Sequence, residues 1–410
     1  MGQVPSLMQW SKISGKEKSI SCILFAFCIV GFLLNVYWSL PIPAPMAATT
    51  SKSLPDLGLQ KVLRDASPIF GDYVKDSGER ATWMKNVADE TPIVRMNLPG
   101  THDSATWNYS QDTQDELRPV TEINNQPLYP WVVYRCQELP FISMLSSGIR
   151  VFDLRFGLDP SNSTLVFYHG AALQSETASV EDVLFAFYQW LADHPTEAIF
   201  LSFQHERRSF TKAGQQQMYD LLTSDHAKKY MVQTKDQLGT LGQARGKITV
   251  LRRFDLSFLP TSYSESLPGL HFSPTQWTAN SPYIELVYNP AQQLTAYIED
   301  FYEIEADVGT SAAVNIQWKY NATTAHLTKA INEHPDSLFW TFASSEHNTN
   351  TPPDFPRTMA LGNGTNLTPD GGVNHKLLSF LRQSKGKRLG IVMLDFYNQP
   401  DDLVDAILDL

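Results

Sequence analysis

Cysteine is nearly missing from this chain: its 410 residues include three, Cys22, Cys28 and Cys136. The first two lie within one apolar run, so the remainder holds a single thiol and no intrachain disulfide can staple it. The fold must rest on its core. Long blocks of Lys or Arg are also missing, and the net charge is −11, which argues against nucleic acid as a partner. No Gly-rich phosphate fingerprint follows a strand, which weighs against an open dinucleotide-binding sheet. No internal repeat or low-complexity tract stands out, and no acidic ligand cluster is recognisable, so neither a metal nor another cofactor is expected.

Only one long hydrophobic run is present, from Ile20 to Leu40, preceded by Lys12, Lys16 and Lys18. It is long enough to cross a bilayer, and the basic flank would stay on the cytoplasmic side. The expected organisation is a cytoplasmic tail over 1–19, a transmembrane signal anchor over 20–40, a stalk over 41–65 and a folded domain over 80–405. The stalk reading rests on Pro, Ser, Ala and Thr without a sustained period. Ala44 and Ala47 keep a cleaved leader open as the alternative. Five Asn-x-Ser/Thr sequons begin at Asn108, Asn162, Asn321, Asn363 and Asn366, which agrees with a lumenal domain carrying glycans. The chain reads as a single-pass type II membrane protein of the secretory pathway or cell surface, or as a secreted protein if the leader is cut.

Hydrophobic content of 42% supports a large core. Eight short apolar runs read as strands: 93–98, 149–156, 165–168, 198–203, 248–251, 314–318, 338–342 and 390–396. Between them, Val180, Val183, Leu184, Phe187, Trp190 and Leu191 fall on one helical face behind Ser179 as N-cap, with Asp182 three residues on. Segments 292–301, 324–331 and 375–381 read as further helices. This alternation predicts the α/β class and a single TIM-like (β/α) barrel. The irregular stretch 343–372, rich in Pro and Gly, reads as a surface excursion that shapes the catalytic mouth.

Polar groups recur where such a barrel would need them. Pro99-Gly100 is expected to end the first strand and hand His102 and Asp103 to the loop. Asp153 and Arg155 share one face of an otherwise apolar strand, His169 precedes a Gly that lets the backbone turn, and Asp395 stands near the end of the last strand. Two imidazoles, two carboxylates and a guanidinium suit a phosphodiester: one His removes a proton, the other returns one, and Arg steadies the phosphoryl oxygens.

The motifs Leu98-Pro99-Gly100-Thr101-His102-Asp103-Ser104, Asp153-Leu154-Arg155 and Tyr168-His169-Gly170 together resemble the X domain of phosphatidylinositol-specific phospholipase C, in its bacterial variety. The likeness extends over Ala244 to Ile248, Arg252-Arg253-Phe254, Gln317-Trp318-Lys319-Tyr320 and the strand at Asp395. It implies that His102 is the general base held by Asp395, and that His169 is the general acid coupled to Asp103. Arg155 would steady the phosphoryl group in the place where related animal enzymes rely on calcium, which implies independence of metal. It further implies attack of an inositol hydroxyl on phosphorus to give a cyclic phosphodiester.

The pattern departs from the family at Gln204, where a lysine is expected, and at Trp318, where an aspartate is expected. Arg253 and Tyr320 remain as substrate contacts, so phosphodiester cleavage is better supported than inositol recognition. The substrate is expected to be a phospholipid or a glycosylphosphatidylinositol-like headgroup at a membrane. Two alternatives stay open: a non-catalytic barrel that binds lipids or glycolipid anchors, and a metal-dependent glycerophosphodiester or sphingomyelin phosphodiesterase.

Overall fold

A computed structural model describes residues 53–122, 127–207 and 209–410. The predicted membrane-spanning segment 20–40 lies outside the described residues, as do the tail 1–19 and most of the stalk. Among the described residues no helix is long and apolar enough to cross a membrane. Two compact units divide at residue 57; the first is described only over 53–57, and the second, Gly58–Leu410, holds every strand found among the described residues. The stalk reading fails at its C-terminal end, because a helix runs over Leu54–Phe70 and buries Ala66, Ile69 and Phe70 in the core.

Eleven strands form along the described chain: β1 Leu98–Thr101, β2 Val151–Leu158, β3 Leu165–His169, β4 Ala172–Leu173, β5 Ala198–Arg207, β6 Lys247–Arg253, β7 Leu270–His271, β8 Ser281–Asn289, β9 Leu294–Asp300, β10 Leu338–Phe342 and β11 Ile391–Leu394. Their hydrogen-bonded order is β7-β6-β5-β2-β1-β11-β10-β9-β8. Every neighbouring pair is parallel except β8 with β9. The fold is an α/β barrel-like sheet with helices outside. Among the described residues the ladder does not join β7 to β8, so the expected closed barrel stays open there. The two-residue β7 offers little ladder to share, and Phe272, Trp277, Tyr288 and Trp340 pack together beside it with ring centroids 5.9–6.1 Å apart for the nearest pairs.

Side-chain alternation divides each strand between two cores. Val151, Phe200, Leu251, Ala296, Ile298, Trp340 and Met393 fill the interior, whereas Phe152, Leu154, Ile199, Leu201, Ile248 and Val392 pack toward the outer helices. The helix Val180–Asp193 starts as expected, with Ser179 and Asp182 in a reciprocal capping box.

Several expected elements shift. Residues 93–95 form a 3-10 turn, and the first strand contains Pro99 and Gly100 rather than ending at them. A Cβ at Gly100 would stand 2.9 Å from that of Val151, so glycine permits the close approach, while Pro99, lacking an N–H, still accepts from Arg150 N at 3.0 Å. Strand β3 turns back antiparallel on β2 instead of joining the barrel. Segment 292–301 is strand β9 rather than a helix, held by its hairpin with β8. Segment 314–318 belongs to a long helix, Ala312–Asn332, which buries Asn315, Ile316, Lys319, Thr323, His326, Leu327 and Ala330 along one face.

Candidate active site

Because interior residues alternate, the C-terminal ends of the strands deliver a polar layer above the apolar interior. His102 follows β1, Asp153 and Arg155 come from β2, Gln204 and Glu206 from β5, Arg253 from β6, Asp300 from β9 and Asp395 follows β11. A cavity of about 1020 Å³ opens over this layer, lined by His102, Arg155, His169, Glu206, Arg253, Asp300 and Asp395 among others. Ser345, Glu346, Asn348 and Pro356 also line it, so the stretch 343–372 does shape the mouth.

The structure brings together all five residues expected to act on a phosphodiester. His102 Nδ1 meets Asp395 Oδ1 at 2.9 Å, and its Nε2 lies 2.8 Å from Arg155 Nη2 and 3.3 Å from Asp103 Oδ2. His169 Nε2 stands 3.2 Å from the same Asp103 oxygen, while its Nδ1 faces the Tyr134 carbonyl at 3.0 Å. Those partners set the tautomers: each imidazole donates from Nδ1 and turns Nε2 inward. The rings stand 6.4 Å apart, centroid to centroid. Arg155 Nε reaches Asp103 Oδ1 at 2.9 Å, and the same guanidinium reaches Asp153 Oδ2 at 3.4 Å and Glu206 Oε1 at 3.2 Å.

Backbone strain accompanies this arrangement. Asp103 has φ 41° and Phe396, next to Asp395, has φ 45°, both in the left-handed region that side chains disfavour. The kinks aim the carboxylates back over their strand ends. Gly170, at φ 54°, makes the turn after His169 as expected.

Burial controls the electrostatics. It lowers His102 well below the ordinary imidazole value, with the Arg155 charge adding to the effect, and it also lowers His169, against the pull of Glu206. Burial raises Asp103 and Asp395 well above the usual carboxylate range, although Arg155 opposes this at both. At Arg155 burial disfavours the charge, but Asp103, Glu206 and Asp153 outweigh it and keep the guanidinium protonated. The site therefore combines neutral imidazoles with a fixed cation, which is suited to proton transfer around an anionic phosphoryl group. Among the described residues, His102, Asp103 and Cys136 have potential metal donors within 4.8 Å of one another, but both nitrogens of His102 already have partners in Asp395 and Arg155.

Of the expected substrate contacts, Arg253 is in place: it lines the cavity, lies 3.6 Å from the Trp277 ring centroid and 3.6 Å from Asp153 Oδ1. Tyr320 is not. It sits on the helix Ala312–Asn332, outside the sheet, and Trp318 on the same helix packs against Phe301. The end of β9 supplies Asp300 and Tyr302 to the cavity instead. Asp300 Oδ2 accepts from Trp277 Nε1 at 2.6 Å. Sequence reading missed these two and Glu206. The period-2 pattern through Ser202 and Gln204 would have pointed to Glu206; assigning 292–301 to a helix concealed the others.

Residues 123–254 match the family model "Phosphatidylinositol-specific phospholipase C, X domain". That span contains Arg155, His169 and Arg253 and begins after His102. The chain is similar to the 1-phosphatidylinositol phosphodiesterase of Staphylococcus aureus strain Newman, at 21% identity over 80% of this chain and 93% of that protein. It is also similar to zebrafish (Danio rerio) PI-PLC X domain-containing protein 3, at 31% identity over 30% of this chain and 42% of that protein. In solved structures, a Staphylococcus aureus phosphatidylinositol-specific phospholipase C shares the fold with a TM-score of 0.59 at 18% identity, covering 81% of this chain and 97% of that one. The enzyme from Listeria monocytogenes does so with a TM-score of 0.56 at 21% identity, covering 80% and 97%. The X-domain likeness thus covers residues 123–254 in sequence, and the shared fold extends over 80–81% of the chain.

Proposed function

We propose that this chain is a phosphodiesterase of the phospholipase C type, cleaving a phospholipid or glycosylphosphatidylinositol-like headgroup whose own hydroxyl attacks phosphorus. The observation that carries this reading is Asp103, whose one carboxylate oxygen lies 3.2 Å from His169 Nε2 and 3.3 Å from His102 Nε2, while the other lies 2.9 Å from Arg155 Nε. A binding module needs no such proton relay.

With Nδ1–H donated to Asp395, His102 presents a basic Nε2 to the attacking hydroxyl and takes its proton as the new P–O bond forms. Arg155 swings from His102 to the phosphoryl oxygens, where negative charge accumulates. The bond to the lipid alcohol breaks, and the proton held between Asp103 and His169 passes to the leaving oxygen. A cyclic phosphodiester remains, which water opens when the two imidazoles exchange roles. The neighbouring polar wall of Arg253, Asp300, Glu206 and Tyr302 supplies donors and acceptors for the hydroxyls of a polyol headgroup.

This reading puts the barrel on the lumenal or extracellular side, tethered by 20–40 as a type II anchor, with secretion after leader cleavage as the alternative. The Lys12, Lys16 and Lys18 flank supports it, and all five sequon asparagines are exposed, so each is accessible to glycosylation. Glycosidase-sensitive mobility of the expressed chain checks that placement.

The activity test incubates the purified protein with a panel of phosphodiester lipids, with and without chelator, and identifies the released headgroup. A cyclic phosphate released in chelator is expected, and it should vanish in His102→Ala and His169→Ala. Turnover by both variants at the wild-type rate would refute the assignment.

A further inference from the structure

Lys319 and Glu299 are both fully buried and meet at 2.7 Å, yet neither lines the cavity. A buried ion pair is a poor source of stability, since well-packed apolar residues of similar volume serve as well or better, so its presence at this position calls for another explanation. The surroundings provide one. On the β10 side, the ladder of β9 stops at the pair Thr341 with Glu299. One residue later comes Asp300 and two after that Tyr302, the side chains that enter the cavity.

Where the ladder stops, Lys319 takes over. Its Nζ donates to Glu299 Oε1 at 2.7 Å and to the Phe301 carbonyl at 2.8 Å, and Phe301 N donates to the same Glu299 oxygen at 3.1 Å. Three hydrogen bonds thus fix a single turn, and Glu346 N adds a fourth to the Tyr302 carbonyl at 2.9 Å. Alternation places Glu299 toward the helix Ala312–Asn332 and Asp300 toward the barrel interior, so a hold on one orients the other. Burial pushes the Glu299 carboxyl up to about 7, and the Lys319 charge acts to keep it ionised.

We propose that Lys319 is a positioning residue for headgroup recognition: through Glu299 and the Phe301 carbonyl it fixes the end of β9 so that Asp300 and Tyr302 stand ready in the cavity. This rests on reading the cavity as the site of a polyol phosphodiester.

The decisive comparison is between the wild-type chain, the double variant Lys319→Met with Glu299→Gln, and Lys319→Arg. Removing both charges spares the double variant an uncompensated buried ion while still abolishing the clamp. With phosphatidylinositol in detergent mixed micelles, kcat/KM of the double variant should fall about tenfold, chiefly through KM, because a displaced headgroup contact weakens binding before it alters the chemistry. Lys319→Arg, which keeps a charged donor, should restore most of it. Hydrogen exchange of the segment 294–304 should speed up in the double variant, with the rest of the barrel unchanged. Wild-type KM together with wild-type exchange in 294–304 would overturn the clamp. Absence of phosphatidylinositol turnover by the wild-type chain would instead remove the substrate reading, and the exchange measurement would then decide the clamp alone.

Discussion

Asp395 Oδ1 accepts the Nδ1 proton of His102 at 2.9 Å, although 293 positions of chain separate the two residues. Parallel pairing of β1 with β11 makes the contact, with Thr101 in register with Leu394 immediately before it. Asp395 thereby holds the imidazole in the tautomer whose Nε2 is basic.

Asp395→Asn leaves the shape of the site intact but can donate to His102 Nδ1 and so reverse the tautomer. A loss in kcat of about 100- to 10,000-fold is expected, with little change in KM or in unfolding midpoint. Steady-state kinetics on a lipid substrate checks it.

Arg155→Lys retains a positive charge but loses the planar fork that spans Asp103, Asp153 and Glu206. Turnover should fall about 100- to 1000-fold, the range for removal of one preorganised transition-state donor. A variant with full activity would assign phosphoryl stabilisation elsewhere.

The pH profile should lie on the acid side. Burial lowers His102, so its neutral, basic form survives below the ordinary imidazole value of about 6.5. Burial also lowers His169, so its protonated, acidic form is lost as pH rises past a point below that same value. Both limbs of the bell therefore move down, and kcat/KM should peak below neutrality. A peak well above pH 7 would contradict the roles assigned to the two imidazoles.

At the opposite end of the barrel, Arg150 and Glu197 are fully buried, with Nη2 and Nε of the arginine 2.7 Å and 3.1 Å from one carboxylate oxygen. Glu197→Gln leaves that guanidinium without its counter-charge and should destabilise the fold by about 3–5 kcal/mol. Denaturant unfolding measures this, while kcat of the folded fraction should stay near wild type.

Gly100→Ala would press a methyl group against Met393 and Val151 within the central strand. A destabilisation of about 1–3 kcal/mol is expected from overpacking, along with reduced turnover because His102 follows two residues later. Thermal unfolding and kinetics on the same preparation separate the two effects.

The five residues expected to act on a phosphodiester were readable because each sits in a short motif whose local pattern, an apolar run with a polar residue in or just after a strand, survives without knowledge of the fold. Arg253 was readable for the same reason. Asp300 and Tyr302 were not. Thr295, Tyr297 and Ile298 alone do not distinguish a strand from a helix, and the hairpin partner β8 that decides between them had not been recognised as a strand. The run at Val314 misled in the opposite sense: it is apolar enough for a strand, but its burial follows a helical face that begins at Asn315 and Ile316.

By itself, the sequence determined the α/β class, the residue types gathered in the site and the capped helix after Ser179, since alternation, capping and residue type are local properties of the chain. Tertiary structure alone decided that Glu206, Asp300 and Tyr302 join Arg253 on the cavity wall while Tyr320 does not, and where the barrel stays open. Those depend on strand order and register, and the order that sets β1 between β2 and β11 is imposed by packing over the whole chain rather than by any one segment.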